Sequence, residues 1–218
     1  MRNKPWARPE LAACEYNVSE PLSKRGKWRE AFKKEQPLHI ELGCGKGFAT
    51  CRMVHENKNV NYVAVDLISN VLAVTRRNIA AEYGKEPIEN VLLAAFDITL
   101  IRNYFAPEDR VERIYISFCN PWDKKQRHER KRLTHPRQLV QYREFLTENG
   151  EIWFKTDNDI LFEDSLKYFA ECGFETVYLT RDLHSSGFSP NYVSEHERMF
   201  SEKEVPIKAI IVKKKSGV

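Results

Sequence analysis

The sequence predicts an α/β protein with a mostly parallel sheet and helices on both faces. Short apolar, β-branched runs alternate with longer helical stretches from about residue 37 onward, and repeated strand, helix, strand units fold into parallel sheets. No internal repeat and no Gly/Ser/Pro-rich linker divides the chain. Its 218 residues, 42% of them hydrophobic, are enough for one globular domain with a full apolar core.

Taken in order, the apolar runs predict seven strands, at residues 38–42, 60–66, 91–96, 113–118, 151–157, 174–180 and 207–213. Stretches with helical spacing predict helices at 47–57, 69–83, 136–148 and 159–171. The last two strands have no helical pattern between them, so one strand is predicted to run antiparallel. Residues 1–36 are predicted to form a basic N-terminal arm, and residues 37–218 a single domain.

Composition excludes several classes of protein. No segment approaches the run of about 18 apolar residues that a membrane span needs, and the N-terminus is basic without a following apolar region. This predicts a soluble, cytoplasmic protein. The five cysteines are scattered and include no C-x-x-C pair, which indicates neither a disulfide framework nor a zinc cluster, and no metal is expected.

The net charge of +4 is unevenly distributed along the chain. Residues 124–137, here called the basic run, carry seven Lys or Arg against one Glu, and residues 1–35 carry nine against five, so the rest of the chain is acidic. This pattern is typical of polyanion-binding proteins, because each cation placed on a phosphate releases a condensed counterion. The alternative is that the basic run is a solvated helix face.

A glycine-rich turn follows the first strand, at the carboxyl edge where ligands bind in such sheets. It contains Gly43, Gly45 and Gly47, with Glu41 just before them. Such a turn alone can be merely a tight connection. The second strand, however, ends at Asp66, and a carboxylate there can bind both hydroxyls of a ribose. The pair favours a cofactor that carries a nucleoside.

The spacing of this turn indicates which cofactor. A dinucleotide site reads G-x-G-x-x-G, whereas this turn reads G-x-G-x-G. Glu41 would repel a pyrophosphate but suits the sulfonium and amino group of S-adenosylmethionine. The pattern E-x-G-x-G-x-G resembles motif I of the class I S-adenosylmethionine methyltransferases. In that class an acidic or amide side chain after the third strand often meets the adenine amino group, a role that Asp97 would fill unless it is a surface-turn residue.

The basic run begins directly after the fourth strand, behind Asn120, Pro121 and Trp122. Cations at the carboxyl end of a strand beside the cofactor surround the mouth of the active site. This position favours contact with nucleic acid over a solvated helix face.

Two more polar segments follow later strands. Asp157 ends the fifth strand, where an alternative role is to cap the next helix. Residues 184–200 form a long polar loop that contains Ser194, Glu195 and Glu197. Loops of this length in a compact domain tend to be functional.

These segments together resemble the bacterial tRNA (guanine-N7)-methyltransferases. The resemblance is carried, in order, by ELGCGKG, VDL, NPW with the basic residues after it, KTDN, and S-E-x-E-x-x-F. It covers most of the chain from about residue 36, and the segment after the fourth strand is its most specific part. It implies a Rossmann-like class I methyltransferase fold, S-adenosylmethionine as cofactor, and tRNA as substrate, with a variable-loop guanosine as acceptor.

The resemblance also implies roles for individual residues. The cofactor site is implied to comprise Glu41, Gly43, Gly45, Gly47, Asp66, Asp97 and Asn120. Contacts with the substrate guanosine or the tRNA are implied for Lys124, Gln126, Arg127, His128, Glu129, Arg130, Lys131, Asp157, Ser194, Glu195, His196 and Glu197. Catalytic roles are implied for Asn120, Asp157 and Glu197.

The sequence departs from the family pattern at three positions: Asn120 stands for a usual Asp, Asp123 for a frequent Pro, and Ser194 for a frequent Thr. An amide cannot be a general base, and Asn-Pro-Trp is similar to the Asn-Pro-Pro-aromatic motif of amino-group methyltransferases. Methylation of an exocyclic amino group of adenine or guanine is therefore an alternative. Guanine N7 has a lone pair and no proton, so its methylation needs alignment and charge stabilisation and no base.

The mechanistic hypothesis is that Asp157 or Glu197 accepts the N1 and N2 hydrogens of guanine. The base leaves its stack to be reached, while Arg127, Arg130 and Lys131 hold the RNA backbone. Two other classes stay open: an RNA-binding module without catalytic activity, and, less favoured, a nicotinamide dehydrogenase. The sequence leaves both a monomer and a homodimer open.

Overall fold

The computed structural model describes residues 4–122 and 126–215, and only the backbone of residues 126 and 127. The chain folds into two compact units, the first ending at Asp109 and the second beginning at Arg110. In the described part of the chain no helix is both long enough and apolar enough to cross a bilayer. The predicted single domain over 37–218, preceded by an arm, stays a prediction.

The first unit alternates strands and helices as the sequence predicts. Its strands are β1 (Asn17–Val18), β2 (Leu38–Leu42), β3 (Asn61–Asp66) and β4 (Val91–Ala95), and its α-helices are α1 (Ala7–Ala12), α2 (Phe48–Glu56) and α3 (Ser69–Tyr83). The strands pair in parallel in the order β1, β4, β3, β2. Both predicted helices here and all three predicted strands are confirmed to within one residue at each end.

The register of the first unit aligns the residues that follow its strands. Glu41 lies beside Ala64, and Asp66 lies beside Ala95. All five residues of β2 and the first five of β3 are buried, which matches strands covered on both faces. The carboxyl ends of β2, β3 and β4 therefore form one edge, from which the glycine turn, Asp66 and Asp97 emerge.

The N-terminal residues are integrated into the first unit. β1 is a strand that the sequence did not predict, because two residues carry no period. Trp28 is fully buried and donates from Nε1 to the Tyr104 carbonyl at 2.7 Å. Buried Asp109 accepts from the backbone N–H of Gly26, Trp28 and Ala106 at 2.8–2.9 Å. These contacts anchor the segment before β2 to the rest of the unit.

The second unit holds the antiparallel strand. Its strands are β5 (Val111–Ser117), β6 (Leu146–Thr156), β7 (Phe174–Thr180) and β8 (Lys208–Lys214), and its α-helices are α4 (Pro136–Phe145), α5 (Asp159–Glu171) and α6 (Glu195–Ser201). The order is β5, β6, β8, β7. β5 and β6 are parallel, and β8 is antiparallel to both neighbours, so the prediction of one antiparallel strand is confirmed.

The second unit differs from the prediction in several places, and β5 begins two residues earlier than predicted, at Val111. The helix predicted to reach residue 148 ends at Phe145, and β6 begins at Leu146, whose backbone is extended. The segment 184–200, predicted as a polar loop, contains helix α6. Ser194 followed three residues later by Glu197 is the sequence pattern of a helix N-terminus, so this helix was detectable from the sequence.

Candidate functional site

The glycine turn after β2 has the backbone shape that its sequence predicts. Gly43, Gly45 and Gly47 all have positive φ, at 85°, 57° and 74°, a region that L side chains rarely adopt. A Cβ on Gly43 or Gly45 would meet nothing within 4 Å. The Gly43 N–H and its successor's N–H both donate to the Val65 carbonyl, at 2.9 and 3.0 Å. The turn is thus held against β3 and leaves its outer side open to a ligand.

Glu41 places a negative charge under this turn. Its side chain is only 6% exposed, and Oε2 accepts from Thr50 Oγ1 at 2.6 Å. Burial, together with the charges of Glu41 and Asp66, raises the pKa of the Cys44 thiol well above its ordinary value. The electrostatic environment of the turn is therefore negative, which suits a cation and disfavours a pyrophosphate.

Asp66 is joined to the turn directly. Its Oδ2 accepts from the Gly45 N–H at 3.1 Å, and its Oδ1 from the Ile68 N–H at 3.0 Å. The two residues after it, Leu67 and Ile68, are 63% and 45% exposed. The Asp66 carboxylate can accept hydrogen bonds from ribose hydroxyls, and the exposed apolar side chains of Leu67 and Ile68 can pack against the flat base attached to the ribose. Sequence reasoning assigned no role to Leu67, which lies in the VDL motif, or to Ile68, although both follow the acidic strand end directly.

Asp97 is an exposed residue at the start of a 3₁₀ helix, Ile98–Asn103. Its Oδ1 accepts from the Thr99 N–H at 2.9 Å and from Thr99 Oγ1 at 2.7 Å. The surface-turn role is therefore observed, and the adenine contact stays a prediction. The first unit as a whole has acidic, apolar and open-backbone features that fit S-adenosylmethionine.

In the second unit, residues 118–122 form a sharply bent segment after β5, here called the Asn120 turn. Phe118 and Trp122 have positive φ, at 52° and 49°, which costs about 1–3 kcal/mol per residue. The Phe118 ring packs against those of His196 and Phe200, with centroids 6.2 and 6.1 Å away. Asn120 is exposed, and its Oδ1 accepts from the Trp122 N–H at 3.0 Å.

Part of the basic run contacts this turn. Lys124 lies outside the described residues, as do the side chains of Gln126 and Arg127. Lys131 Nζ lies 4.9 Å from the centroid of the Trp122 ring, and the His128 ring packs against the same indole at 5.9 Å.

The neighbouring residues of the basic run differ in their environment. Arg130 is exposed, while Glu129 Oε1 lies 3.7 Å from the guanidinium of Arg132. Of the predicted RNA-binding residues in the basic run, His128 and Lys131 therefore contact the Asn120 turn.

Asp157 lies at the end of β6 and is half-buried. The alternative role as a helix cap is wrong, because Asn158 caps α5 by accepting from the Leu161 N–H at 2.7 Å. Among the described residues the Asp157 carboxylate has no hydrogen bond or ion pair, while its backbone carbonyl accepts from Lys208 Nζ at 2.9 Å.

Glu197 has a different environment, because it is fully buried and its two carboxylate oxygens have internal partners. Lys155 Nζ donates to Oε2 at 2.6 Å, and His184 and Asn191 contact Oε1 at 2.8 and 2.6 Å. Burial by itself would raise the pKa of Glu197, but the Lys155 charge and these hydrogen bonds outweigh burial and lower the pKa below its ordinary value. Glu197 is therefore ionised and internally paired.

The rest of the predicted segment lies on α6. Ser194 caps the helix by accepting from the Glu197 N–H at 3.1 Å, and Glu195 and His196 are exposed. Sequence reasoning assigned no role to Lys155, His184 or Asn191, although Lys155 begins the KTDN motif, because their common partner Glu197 brings them together only in the folded chain. Within the described residues no group of three or more His, Cys, Asp or Glu is arranged to hold a metal ion.

Comparison with solved structures places the fold in a class. The chain matches a 16S rRNA methyltransferase, KamB, with a TM-score of 0.58 over 83% of this chain and 88% of that one, at 11% identity. It also matches a ribosomal protein L11 methylase from Lactobacillus delbrueckii subsp. bulgaricus, with a TM-score of 0.54 at 13% identity over 98% of this chain and 81% of that one. The fold is that of the Rossmann-like methyltransferases, as predicted.

Sequence relatives narrow this class. The family model described as "Putative methyltransferase" matches residues 35–210. A tRNA (guanine-N(7)-)-methyltransferase of Clostridium perfringens is 52% identical over 98% of this chain and 99% of that protein. A protein of the same name from Ruminiclostridium cellulolyticum is 51% identical over 100% and 93%. The chain belongs to the tRNA (guanine-N7)-methyltransferase family.

Proposed function

We propose that this protein transfers the methyl group of S-adenosylmethionine to N7 of a guanine in tRNA, a variable-loop guanosine being the expected acceptor. The observation that carries the proposal is 52% identity to a tRNA (guanine-N(7)-)-methyltransferase over nearly the full length of both chains. The protein acts in the cytoplasm, as a monomer or a homodimer.

The first unit supplies the cofactor site. S-adenosylmethionine, when bound, supplies a methyl group on a sulfonium centre. Glu41 and the open glycine turn hold the cationic part, because the turn is negative and its outer side has room. Asp66 holds the ribose hydroxyls, and Leu67 and Ile68 cover a face of the adenine. Asp97 keeps Oδ2 for the adenine amino group, since Thr99 contacts only Oδ1.

The acceptor is N7 because this atom needs no general base. N7 offers a lone pair and loses no proton when it is methylated. Asn120 cannot act as a base, and its amide oxygen already accepts from the Trp122 N–H. In the alternative reaction that oxygen would accept from an exocyclic amine, so the contact favours N7.

Asp157, and not Glu197, reads the guanine. A carboxylate that accepts the N1 and N2 hydrogens together needs two accessible oxygens. Asp157 is half-buried without a side-chain partner among the described residues, whereas Glu197 is fully buried with three partners. The exposed cations of the basic run, with Lys124, Gln126 and Arg127, then hold the RNA backbone, and Ser194 to His196 border the base.

The proposal is tested by incubating the protein with labelled S-adenosylmethionine and unmodified tRNA, followed by nucleoside analysis. N7-methylguanosine is the expected product. A methylated amino group would establish the alternative reaction. Tight tRNA binding without any transfer would indicate a catalytically inactive RNA-binding module.

Guanine reading is tested with Asp157→Asn. The amide can accept only one of the two guanine hydrogens, and a bidentate base contact contributes about 1–3 kcal/mol, so kcat/KM for tRNA should fall roughly 5- to 150-fold. Glu171→Gln is the control, because it removes one carboxylate charge from an exposed residue at the far end of α5. Equal activities of the two variants would contradict the assignment of Asp157.

A further inference from the structure

Arg132 belongs to the basic run by sequence, yet it does not face the solvent. Its side chain is 0% exposed and is among the largest fully buried side chains of the protein. The two residues before it, Arg130 and Lys131, are exposed. A guanidinium with no accessible surface cannot reach a phosphate backbone, so Arg132 has an internal role.

The contacts of Arg132 define that role. Its Nε donates to the carbonyl of Pro121 at 2.6 Å, and its Nη1 donates to Asp164 Oδ2 on α5 at 2.8 Å. Its buried Nη2 has no hydrogen-bond partner among the described residues and lies 3.7 Å from Glu129. Hydrogen bonds from a charged donor are about twice as strong as neutral ones. The guanidinium therefore ties Pro121 firmly to α5.

Pro121 lies within the Asn120 turn, which needs such support. The turn has positive φ on both sides of it, at Phe118 and Trp122, and such conformations persist only where the surroundings hold them. The basic run thus starts just after the Asn120 turn and returns to it at residue 132.

We propose that Arg132 is a positioning residue for methyl transfer: it holds the backbone of the Asn120 turn in its active geometry and does not bind RNA. This inference rests on the proposed function, because the resemblance implies a catalytic role in that reaction for Asn120. A displacement of about 1 Å in such a segment can reduce turnover about 100-fold.

The test is Arg132→Lys, which keeps the charge but cannot reach both Pro121 and Asp164. We expect kcat to fall about 10- to 100-fold, with KM for tRNA within about twofold of wild type. The slope of log Kd for tRNA against log salt should not change, because no phosphate contact is lost. Lys131→Gln should instead weaken tRNA binding and reduce that slope by about one unit.

Thr134→Val is the matched control for a general loosening of the segment. It removes the buried 2.7 Å hydrogen bond between Thr134 and Ser165 of α5 and keeps the guanidinium of Arg132. Urea denaturation measures the stability of each variant. If Arg132→Lys does not fold, Asp164→Asn, which weakens the support of the guanidinium, should show the same loss of kcat with an unchanged salt slope.

Three results would overturn the inference: a normal kcat, a salt slope reduced as in Lys131→Gln, or an equal loss of kcat in Thr134→Val. Wild-type protein is assayed first in every experiment. Absence of N7-methylguanosine with wild type would reject the proposed function, and the inference with it. An active wild type with an unaffected Arg132→Lys would reject the role of Arg132 alone.

Discussion

Replacing Glu197 with Gln should destabilise the protein strongly, because it leaves Lys155 buried without its counter-charge. The Glu197 side chain is 0% exposed and that of Lys155 is 13% exposed, with 2.6 Å between Nζ and Oε2. In the wild type, His184 and Asn191 both contact Oε1 of Glu197. The side-chain amide of Gln has one oxygen fewer than the carboxylate, and its NH₂ group is a further donor beside Lys155, His184 and Asn191.

The size of the effect follows from these contacts. Removing one partner of a buried ion pair costs about 3–5 kcal/mol. Lys155 keeps two neutral acceptors, Asn191 Oδ1 at 2.8 Å and the Tyr192 carbonyl at 2.9 Å, so the lower end, about 3 kcal/mol, is expected. The folded-state pKa of Glu197 is lowered, so its stabilising contribution is present near neutral pH and is lost as the pH falls through that pKa.

Urea denaturation of a double-mutant cycle measures this coupling. The cycle comprises wild type, Glu197→Gln, Lys155→Met and the double variant, and the double variant should lose less stability than the two single losses added together, by about 2 kcal/mol or more. Glu202→Gln, an exposed change at the end of the same helix, should change stability by less than about 0.5 kcal/mol. A coupling energy below about 0.5 kcal/mol would refute the reasoning.

Two further predictions concern local features of the fold. The Nδ1 atom of His135 caps α4 by accepting from the Arg137 N–H at 3.1 Å. Burial, together with nearby arginine charges, lowers the pKa of His135. The contribution of neutral His135 to the free energy of unfolding should therefore be complete above a pH of about 6.5 and be lost as the pH falls through the lowered pKa. His135→Asn keeps a helix cap that does not titrate. In thermal denaturation, this variant should lose less stability than wild type between pH 7.5 and pH 5. An equal loss in both proteins would exclude His135 as the source of the pH dependence. Gly47→Ala should abolish S-adenosylmethionine binding in calorimetry, because its Cβ would overlap Thr75 at a φ of 74°. Gly187→Ala is the control, because it has a similar backbone cost at a φ of 69° and its Cβ would meet no other atom within 4 Å. This variant should bind S-adenosylmethionine normally. Normal binding by Gly47→Ala as well would show that the glycine turn tolerates a side chain.

Much of the fold was predictable because it rests on local patterns. Buried strands such as β2 and β3 are continuous apolar runs, and α3 and α5 have helical spacing, so their positions agree with the prediction closely. β1 was missed because two residues have no period, and it is a strand only through its pairing with β4. The end of α4 was overestimated, since propensity does not show that Leu146 already turns into β6.

The sequence by itself determined the class of protein and the residues that follow each strand, because strand ends, glycines and carboxylates can be located directly in the amino-acid sequence. Only the tertiary structure separated residues of like chemistry. It buried Arg132 beneath the Asn120 turn while exposing Arg130, and it paired Glu197 with Lys155 while leaving the Asp157 carboxylate without a partner among the described residues. The physical reason is that charge and hydrogen-bonding capacity belong to the residue type, whereas burial and partners depend on segments far apart in the chain.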